Sequence, residues 1–387
     1  MLNRNCDLTL IGGGPVGASL ALALRGSGID VRLLEARPAN TASSDARALA
    51  LSYGSRLLLE RIGVWDRLRE VSAIRTIHIS QRGSFGRALL SAAELDVPAL
   101  GYVLPYAALQ NALSEALEQS GIAVEYGASV AELQGESDTA VIRYRQSDTE
   151  HTLHTRLAVV ADGGQLLAQR FPPETRDYGQ SAFISHVTCA HLHSDTAYER
   201  FTSQGPVALL PFRDGYELVW TAAHERVKEM LTWDDATLLA ELQRHFGDRV
   251  GAFLSIGKRA SFPLGLRRAP DHSPMPHTVL LGNAAQTLHP VAGQGFNLGL
   301  RDAWELAQLI LRHAPEEQGS AAMLAEYRKL RRTDREGGIR FTDGLVRLFS
   351  NDIPLVSTGR AAALSALDCL PFAKKFVARR MMFGVNG

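Results

Sequence analysis

Leu8-Thr9-Leu10-Ile11-Gly12-Gly13-Gly14-Pro15-Val16-Gly17 decides the fold of this chain. A short apolar run ends in a glycine cluster, and a helical pattern begins at once. Residues 15–26 carry Val16, Leu20, Ala21 and Leu24 at helical spacing, and Gly28 closes the segment. Val31-Arg32-Leu33-Leu34-Glu35 then reads as a second buried strand, so the whole is a βαβ unit. Inside it, Gly12-x-Gly14-x-x-Gly17 has the spacing of a dinucleotide cradle. Gly12 permits the tight turn, Gly14 lets the main chain approach a pyrophosphate, and Gly17 lets helix and strand pack closely. The helix start offers free N–H groups and partial positive charge to phosphates. Glu35, ending the second strand, is placed to accept hydrogen bonds from ribose hydroxyls and to repel a 2′-phosphate. This fingerprint alone fits FAD and NAD equally.

The chain has 387 residues, which predicts two closely packed domains. Lys+Arg and Asp+Glu each number 41, and that balance speaks against a nucleic-acid binder, which needs a basic excess. Cys6, Cys189 and Cys369 are odd in number, far apart and without CxxC spacing. Neither a zinc site nor a disulfide framework is expected, and a cytoplasmic setting fits. The first residues run straight into the opening strand rather than into the apolar core of a signal peptide. No apolar stretch is long enough to span a membrane.

Beyond the βαβ unit the texture alternates. Ala73 to Val103 and Ser181 to Phe262 contain short period-two runs, such as Thr76-Ile77-His78-Ile79-Ser80 and Tyr216-Glu217-Leu218-Val219-Trp220. The turn Arg213-Asp214-Gly215 precedes the second of these. Between them lie a helix over Tyr106 to Ser120 and a buried strand over Leu157 to Gly163. Val279-Leu280-Leu281-Gly282 is a further strand, feeding a loop and a helix from about Asn297, and the chain is helical from Ala322 onward. The expected fold class is α/β: a Rossmann-like FAD-binding domain interleaved with a β-sheet substrate domain, with a helical C-terminus. Segments 1–74, 105–180 and 271–345 belong to the first domain and 75–104 and 181–270 to the second. Residues 346–387 form the C-terminal helices.

Gly282-Asn283-Ala284-Ala285-Gln286-Thr287-Leu288-His289-Pro290-Val291-Ala292-Gly293-Gln294-Gly295-Phe296-Asn297-Leu298-Gly299 is the most informative run. Its glycines and few bulky side chains let backbone lie against a flat ligand. The helix that follows aims its N-terminal dipole at that ligand and favours the negative charge of a reduced flavin. Asn283 is a candidate partner for a ribityl hydroxyl.

At these residues the chain resembles the ubiquinone-biosynthesis flavin hydroxylases, a branch of the single-component aromatic monooxygenases. That group pairs an N-terminal FAD fingerprint with a GD-type motif, here Gly282-Asn283, and a DG motif, here Asp162-Gly163. The wording Asn283 to Pro290 is similar to the branch typified by 2-octaprenyl-6-methoxyphenol hydroxylase. Asp45 to Leu51, Arg61 to Trp65, Glu199 to Thr202 with Gly205-Pro206, and Gly257 to Leu264 agree with it. The likeness spans nearly the whole chain except its C-terminal end. Leu166 stands where the group usually has serine, and Tyr106 where it often has arginine or asparagine.

The resemblance implies that NAD(P)H reduces FAD and that one atom of dioxygen passes to the ring of a polyprenyl phenol. The cofactor carries the hard chemistry, so no Ser/His/Asp or metal constellation is required. It assigns Pro290 and the backbone of Gly293 and Gly295 to the catalytic platform. Cofactor contacts fall to Gly12, Gly14, Gly17, Glu35, Arg47, Gln110, Asp162, Asn283, Gly293, Gln294, Gly295, Phe296 and Asn297. A ubiquinone-biosynthesis complex and a peripheral contact of the basic C-terminal helix with the membrane are the further partners it suggests.

Other residues have plainer readings. His289 is read as a structural hydrogen-bonder rather than a base, and His191-x-His193 as a surface strand without a third metal ligand. Asp302 suits compensation of a helix dipole. Val207, Leu209, Leu210 and Phe212 are sandwich core by default and ring-pocket walls as the alternative. The rival functions are the same chemistry at another ring position, an NAD-dependent dehydrogenase, and an FAD-bound scaffold without catalysis.

Overall fold

The computed structural model describes residues 3–39, 41, 45, 47–288, 293–349 and 354–386, with side chains described at 5–39, 41, 45, 47–288, 293–344 and 358–385. Two large sheets organise the described residues. In the first, the strand order is Ala123–Tyr126, Val31–Glu35, Asn3–Ile11, Thr149–Val160, Ala140–Gln146, Ser129–Gly135. Thr278–Leu280 pairs in parallel with the C-terminal end of Thr149–Val160. Asn3–Ile11 is central and parallel to both its neighbours. A parallel strand in that position is covered on both faces, which is why Leu8, Thr9 and Leu10 are all fully buried.

Helices Pro15–Ala23, Tyr106–Glu118 and Gln294–Arg312 cover one face. Leu8, Leu10, Leu33, Leu157 and Val159 pack there with Leu20, Leu113 and Leu306. Each such leucine contributes about 1.5–3 kcal/mol by leaving water. On the other face Ile11, Leu34, Val160 and Leu280 pack against Leu133, Ile142 and Tyr144 of the antiparallel extension. The fingerprint helix ends at Ala23, short of the expected residue 26, because Gly26 and Gly28 turn at positive φ.

The second sheet runs Gln286–Thr287, Ala260–Arg268, Glu174–Cys189, Gly215–Ala223, Gly205–Phe212, Thr196–Thr202, Thr76–Gln81, Arg87–Ser91, with Phe253–Ile256 paired to Glu174–Cys189. Helices His224–Thr232 and Asp235–Phe246 cover its outer face. Val207 and Leu209 pack with Phe183, Trp220, Leu238 and Phe246 in that outer core. Phe212 and Leu210 lie on the inner face with Val103 and Ile74. The tight turn at Arg213, at φ 53°, joins the two central strands.

Several boundaries differ from the expectation. Glu174–Cys189 joins the second sheet ahead of residue 181, because its long antiparallel register with Ala260–Arg268 begins at Glu174. Gly101–Pro105 belongs to a separate three-stranded sheet with Ala48–Ser52 and Ser72–Ile74. His191 and His193 sit in the exposed connection after Cys189, not in a strand. The C-terminal part forms helices Ala321–Phe349, Pro354–Cys369 and Pro371–Phe383.

Candidate active site

The register of the first sheet brings four distant segments together. Ile11 pairs with Leu34 on one side and Val160 on the other, and Val160 pairs with Leu280. Gly12, Glu35, Asp162 and Gly282 therefore emerge side by side at the carboxyl ends of parallel strands, where open α/β sheets bind ligands.

The three fingerprint glycines meet three different constraints. Gly12 has φ +105°, and an added Cβ would lie 2.6 Å from the Ala161 carbonyl oxygen. At Gly17 an added Cβ would lie 2.2 Å from the Gly12 carbonyl oxygen, so only glycine lets the helix start sit on the turn. An added Cβ at Gly14 would meet nothing within 4 Å. That side of the turn is open, and the helix that follows has no side-chain cap. Together they leave main-chain N–H groups free to take an anion.

Glu35 is buried and accepts hydrogen bonds from the Gly13 N–H at 2.7 Å and the Arg37 N–H at 2.8 Å. The Arg37 guanidinium adds a bond at 2.9 Å. Burial pushes the Glu35 carboxyl up, but the Arg37 bonds and the Gly13 N–H outweigh it and hold it below the usual range. Arg37 was missed in the sequence, although a basic residue two positions after the strand-end glutamate was visible. Its charge offsets the repulsion of a 2′-phosphate ascribed to Glu35 alone.

Gln110 lies 3% exposed on helix Tyr106–Glu118 and donates to the Gly13 carbonyl at 3.0 Å. Its Oε1 has no partner among the described residues. A buried acceptor without a donor costs about 1–3 kcal/mol, and a ligand hydroxyl or amino group would remove that cost. The open Gly14 side, the uncapped helix end and this orphaned oxygen fit a dinucleotide.

Asp162 turns its carboxylate onto its own loop, accepting from the N–H groups of Gly164 at 2.8 Å, Gln165 at 3.0 Å and Leu166 at 2.6 Å. It shapes the turn that passes the cradle. Arg267, from strand Ala260–Arg268, clamps this turn to the distant loop. Its guanidinium donates to the carbonyls of Gly163 and Asn283, each at 3.2 Å, and to that of Gly164. No local motif marks Arg267; strand pairing alone places it. Arg267→Ala should leave the sheets intact and weaken FAD binding about 10- to 100-fold, since charge-assisted bonds are worth roughly 1.5–3 kcal/mol. Equilibrium dialysis of the variant with FAD reads this directly.

The second loop folds onto the fingerprint helix. Added Cβ atoms at Gly282 and Gly299 would lie 3.2 and 3.1 Å from Val16 side-chain carbons. The helix following the loop starts at Gln294, ahead of the expected Asn297, because Gly293 caps it in the left-handed region at φ 61°. No side chain caps that helix, so its first N–H groups face the site beside the Gly293–Gly295 backbone. Phe296 packs against the first core. The Gln294 amide reaches the Met381 carbonyl at 3.4 Å. The Asn283 side chain is exposed. Pro290 and His289 lie outside the described residues.

The Asn297 side chain holds the scaffold. Its amide donates to the carbonyls of Ala50 at 3.0 Å and Gly293 at 2.6 Å, and its oxygen accepts from Ser52 N–H at 2.8 Å and Ser55 Oγ at 2.7 Å. That exhausts its hydrogen-bonding capacity, so it positions the loop against strand Ala48–Ser52. Arg47 pairs with Asp45 at 2.5 Å and lies over the rings of Tyr106 and Phe262. Asp302 is not near a helix end as expected. It sits buried in mid-helix, bonded to Arg331 and Gln286, each at 2.6 Å. Among the described residues no cluster of His, Cys, Asp and Glu could hold a metal.

The two glycine-rich loops suit an FAD-binding enzyme, and the family the chain belongs to makes it an FAD- and NAD(P)H-dependent monooxygenase. Residues 5–342 match the FAD binding domain family, and the chain belongs to it. Ubiquinone hydroxylase UbiL of Rhodospirillum rubrum is 34% identical, over 98% of this chain and 90% of that protein. The 3-demethoxyubiquinol 3-hydroxylase of Escherichia coli is 31% identical, over 95% of this chain and 96% of that protein. The chain is therefore a member of the ubiquinone-biosynthesis FAD hydroxylases. Its fold matches that of p-nitrophenol 4-monooxygenase PnpA from Pseudomonas putida with a TM-score of 0.79, at 17% identity over the full length of both chains.

Proposed function

We propose that this enzyme hydroxylates 2-polyprenyl-6-methoxyphenol to 2-polyprenyl-6-methoxy-1,4-benzoquinol. The observation that carries a redox role on a ring is the convergence of two glycine-rich loops at neighbouring strand ends. The wording of Asn283 to Pro290 supports the particular ring position. A different position of the same pathway is the second reading, favoured by the name of the Escherichia coli relative. An FAD-bound scaffold is disfavoured, because the named curated relatives are hydroxylases.

FAD, when bound, supplies hydride acceptance and oxygen activation. The chain's own residues do the rest. Gly12 to Gly17 take the pyrophosphate on main-chain N–H groups, and Glu35 with Gln110 hold hydroxyl or amino groups beside it. Asn283 meets the ribityl chain. The helix end behind Gly293 and Gly295 offers positive potential where negative charge develops. The family resemblance assigns Pro290, which lies outside the described residues, to the same platform. The second sheet, built mainly from residues 76–91 and 174–268, acts as the substrate domain, its apolar inner face excluding water from the ring.

A substrate with a prenyl tail is drawn from a lipid phase, and helix Pro371–Phe383 is the contact we assign. Phe372 and Phe376 are 73% and 66% exposed, one turn apart, with Lys375 and Arg379 beside them. This pattern suits the surface of an anionic bilayer. Among the described residues no helix is long and apolar enough to cross a membrane. Phe372→Ser with Phe376→Ser should lower partition to phosphatidylglycerol vesicles at least ten-fold, as each inserted ring is worth roughly 1.5–3 kcal/mol. Vesicle co-sedimentation of the FAD-loaded protein measures it.

The test of the reaction is the quinone-intermediate profile of cells lacking the protein. Accumulation of a 2-polyprenyl-6-methoxyphenol is expected. Accumulation of a demethoxy quinol would support the second reading, and a normal quinone pool would sink both.

A further inference from the structure

Glu199 stands among apolar neighbours on the inner face of the second sheet. In strand Thr196–Thr202 its register partners are Ile79 on one side and Ala208 on the other. The row continues to Ala88 beyond Ile79, and to Val219 and Ile184 beyond Ala208. Glu199 is the polar member of that row.

Strand alternation puts Ala197 and Phe201 on the same face. Ala197 packs with Ile74, Val103, Phe212 and Ala48. Phe201 packs with Ala88, Ile79 and Leu364. Tyr198, on the opposite face, belongs to the outer core. Glu199 thus faces inward, towards the FAD-binding half. Ala48 begins the strand whose Ala50 would lie 3.2 Å from an added Cβ at Gly293. The strand that supports the Gly293 loop therefore borders the inner face on which Glu199 stands.

The carboxyl is set deep in the protein, yet part of the residue's surface stays open. Among the described residues no hydrogen bond or ion pair engages it. Charged groups on adjoining elements serve other partners. Arg200 leaves by the opposite face for the His245 carbonyl at 2.9 Å and Ser80 Oγ at 3.3 Å. Glu217 is held by His186 at 3.1 Å, and Arg360 of helix Pro354–Cys369 is buried with other partners. Burial alone pushes the Glu199 carboxyl up to about 7. A lone acid in an apolar wall costs stability, and such groups cluster at functional sites.

We propose that Glu199 is the general base that accepts the hydroxyl proton of the substrate phenol. This rests on the phenol reading above. As the ring takes up the hydroxyl equivalent supplied by the monooxygenase reaction, the phenol O–H bond breaks. Its electron pair stays on that oxygen, which becomes the carbonyl of a dienone, and the proton bonds to a Glu199 oxygen. The dienone regains aromaticity by moving its ring hydrogen to that carbonyl oxygen. Glu199 then passes its proton to water and is restored as a carboxylate. Only the deprotonated acid accepts, so turnover rises with pH through the neutral range.

The experiment compares FAD-loaded wild type, Glu199→Gln and Glu199→Asp on a short-chain 2-prenyl-6-methoxyphenol. FAD content and the rate of flavin reduction by NAD(P)H should be unchanged in all three. In Glu199→Gln, product formation should fall by a factor on the order of 10²–10⁴. The acidic limb of its kcat/KM profile should vanish, while Glu199→Asp keeps a limb at reduced rate. A Glu199→Gln enzyme with the wild-type rate and limb would overturn the base assignment and leave the phenol reading standing. A wild type that neither binds nor hydroxylates the phenol would overturn both.

Discussion

Gly14→Val is expected to yield a folded protein without flavin colour. Gly14 has ordinary extended backbone, φ −63° and ψ 171°, which a branched residue adopts without strain. A Cβ added there meets no heavy atom within 4 Å. The apoprotein should therefore melt within about 2 °C of the wild-type apoprotein, since open surface positions change stability by about 0.5 kcal/mol or less. The side chain instead occupies the space where main chain must approach a pyrophosphate. FAD retention should fall by at least 100-fold, read as the ratio of flavin to protein absorbance. Gly17→Val makes the opposite kind of damage. Its Cβ would strike the Gly12 carbonyl oxygen, so the fold itself is lost with the cofactor. If Gly14→Val keeps its colour, the cradle lies elsewhere.

Asp302→Ala carries the largest expected loss of stability, about 3–5 kcal/mol. Asp302 is fully buried and faces Arg331, which is nearly so. Arg331 also bonds Asp334 at 2.7 Å, and Arg301 bonds the same Asp334 oxygen at 2.9 Å. Burial opposes the charge on Arg331, but the two facing carboxylates keep it protonated. Burial likewise pushes Asp334 up, and the charges of Arg301 and Arg331 bring it below the usual range. Removing Asp302 strands the guanidinium in a medium that solvates it poorly. Because the network ties the loop-bearing helix Gln294–Arg312 to helix Ala321–Phe349, FAD affinity should fall with stability. The double variant Asp302→Ala with Arg331→Met should recover most of the loss in urea unfolding, since both charges leave together. A double variant no better than the single one would contradict the pairing.

The two loops were legible because their function constrains local spacing. Gly12, Gly14 and Gly17 must fall within one turn of a strand–helix junction, and Gly12 and Gly17 are each held to glycine by atoms close to them. Alternating apolar runs likewise marked the second sheet, since period-two burial follows from the pleat. Contacts made across the chain were not legible. Arg267 reaches the Asp162 turn only because Ala260–Arg268 pairs with Gln286–Thr287. Arg331 lies 29 positions from Asp302, with nothing in either neighbourhood to announce the pair. Asn297 read as a ligand contact because it borders the loop, yet its four hydrogen bonds are scaffold bonds. The helix start at Gln294 depended on the left-handed turn at Gly293, one of several glycines able to make it.

Main chain from both ends of the sequence is proposed to close around one FAD. Titration of the apoprotein with FAD, followed by quenching of flavin fluorescence, tests it most directly. Saturation at one FAD per chain is expected, with NAD failing to compete. Flavin fluorescence left unquenched by a folded apoprotein, or displacement of FAD by NAD, would contradict it.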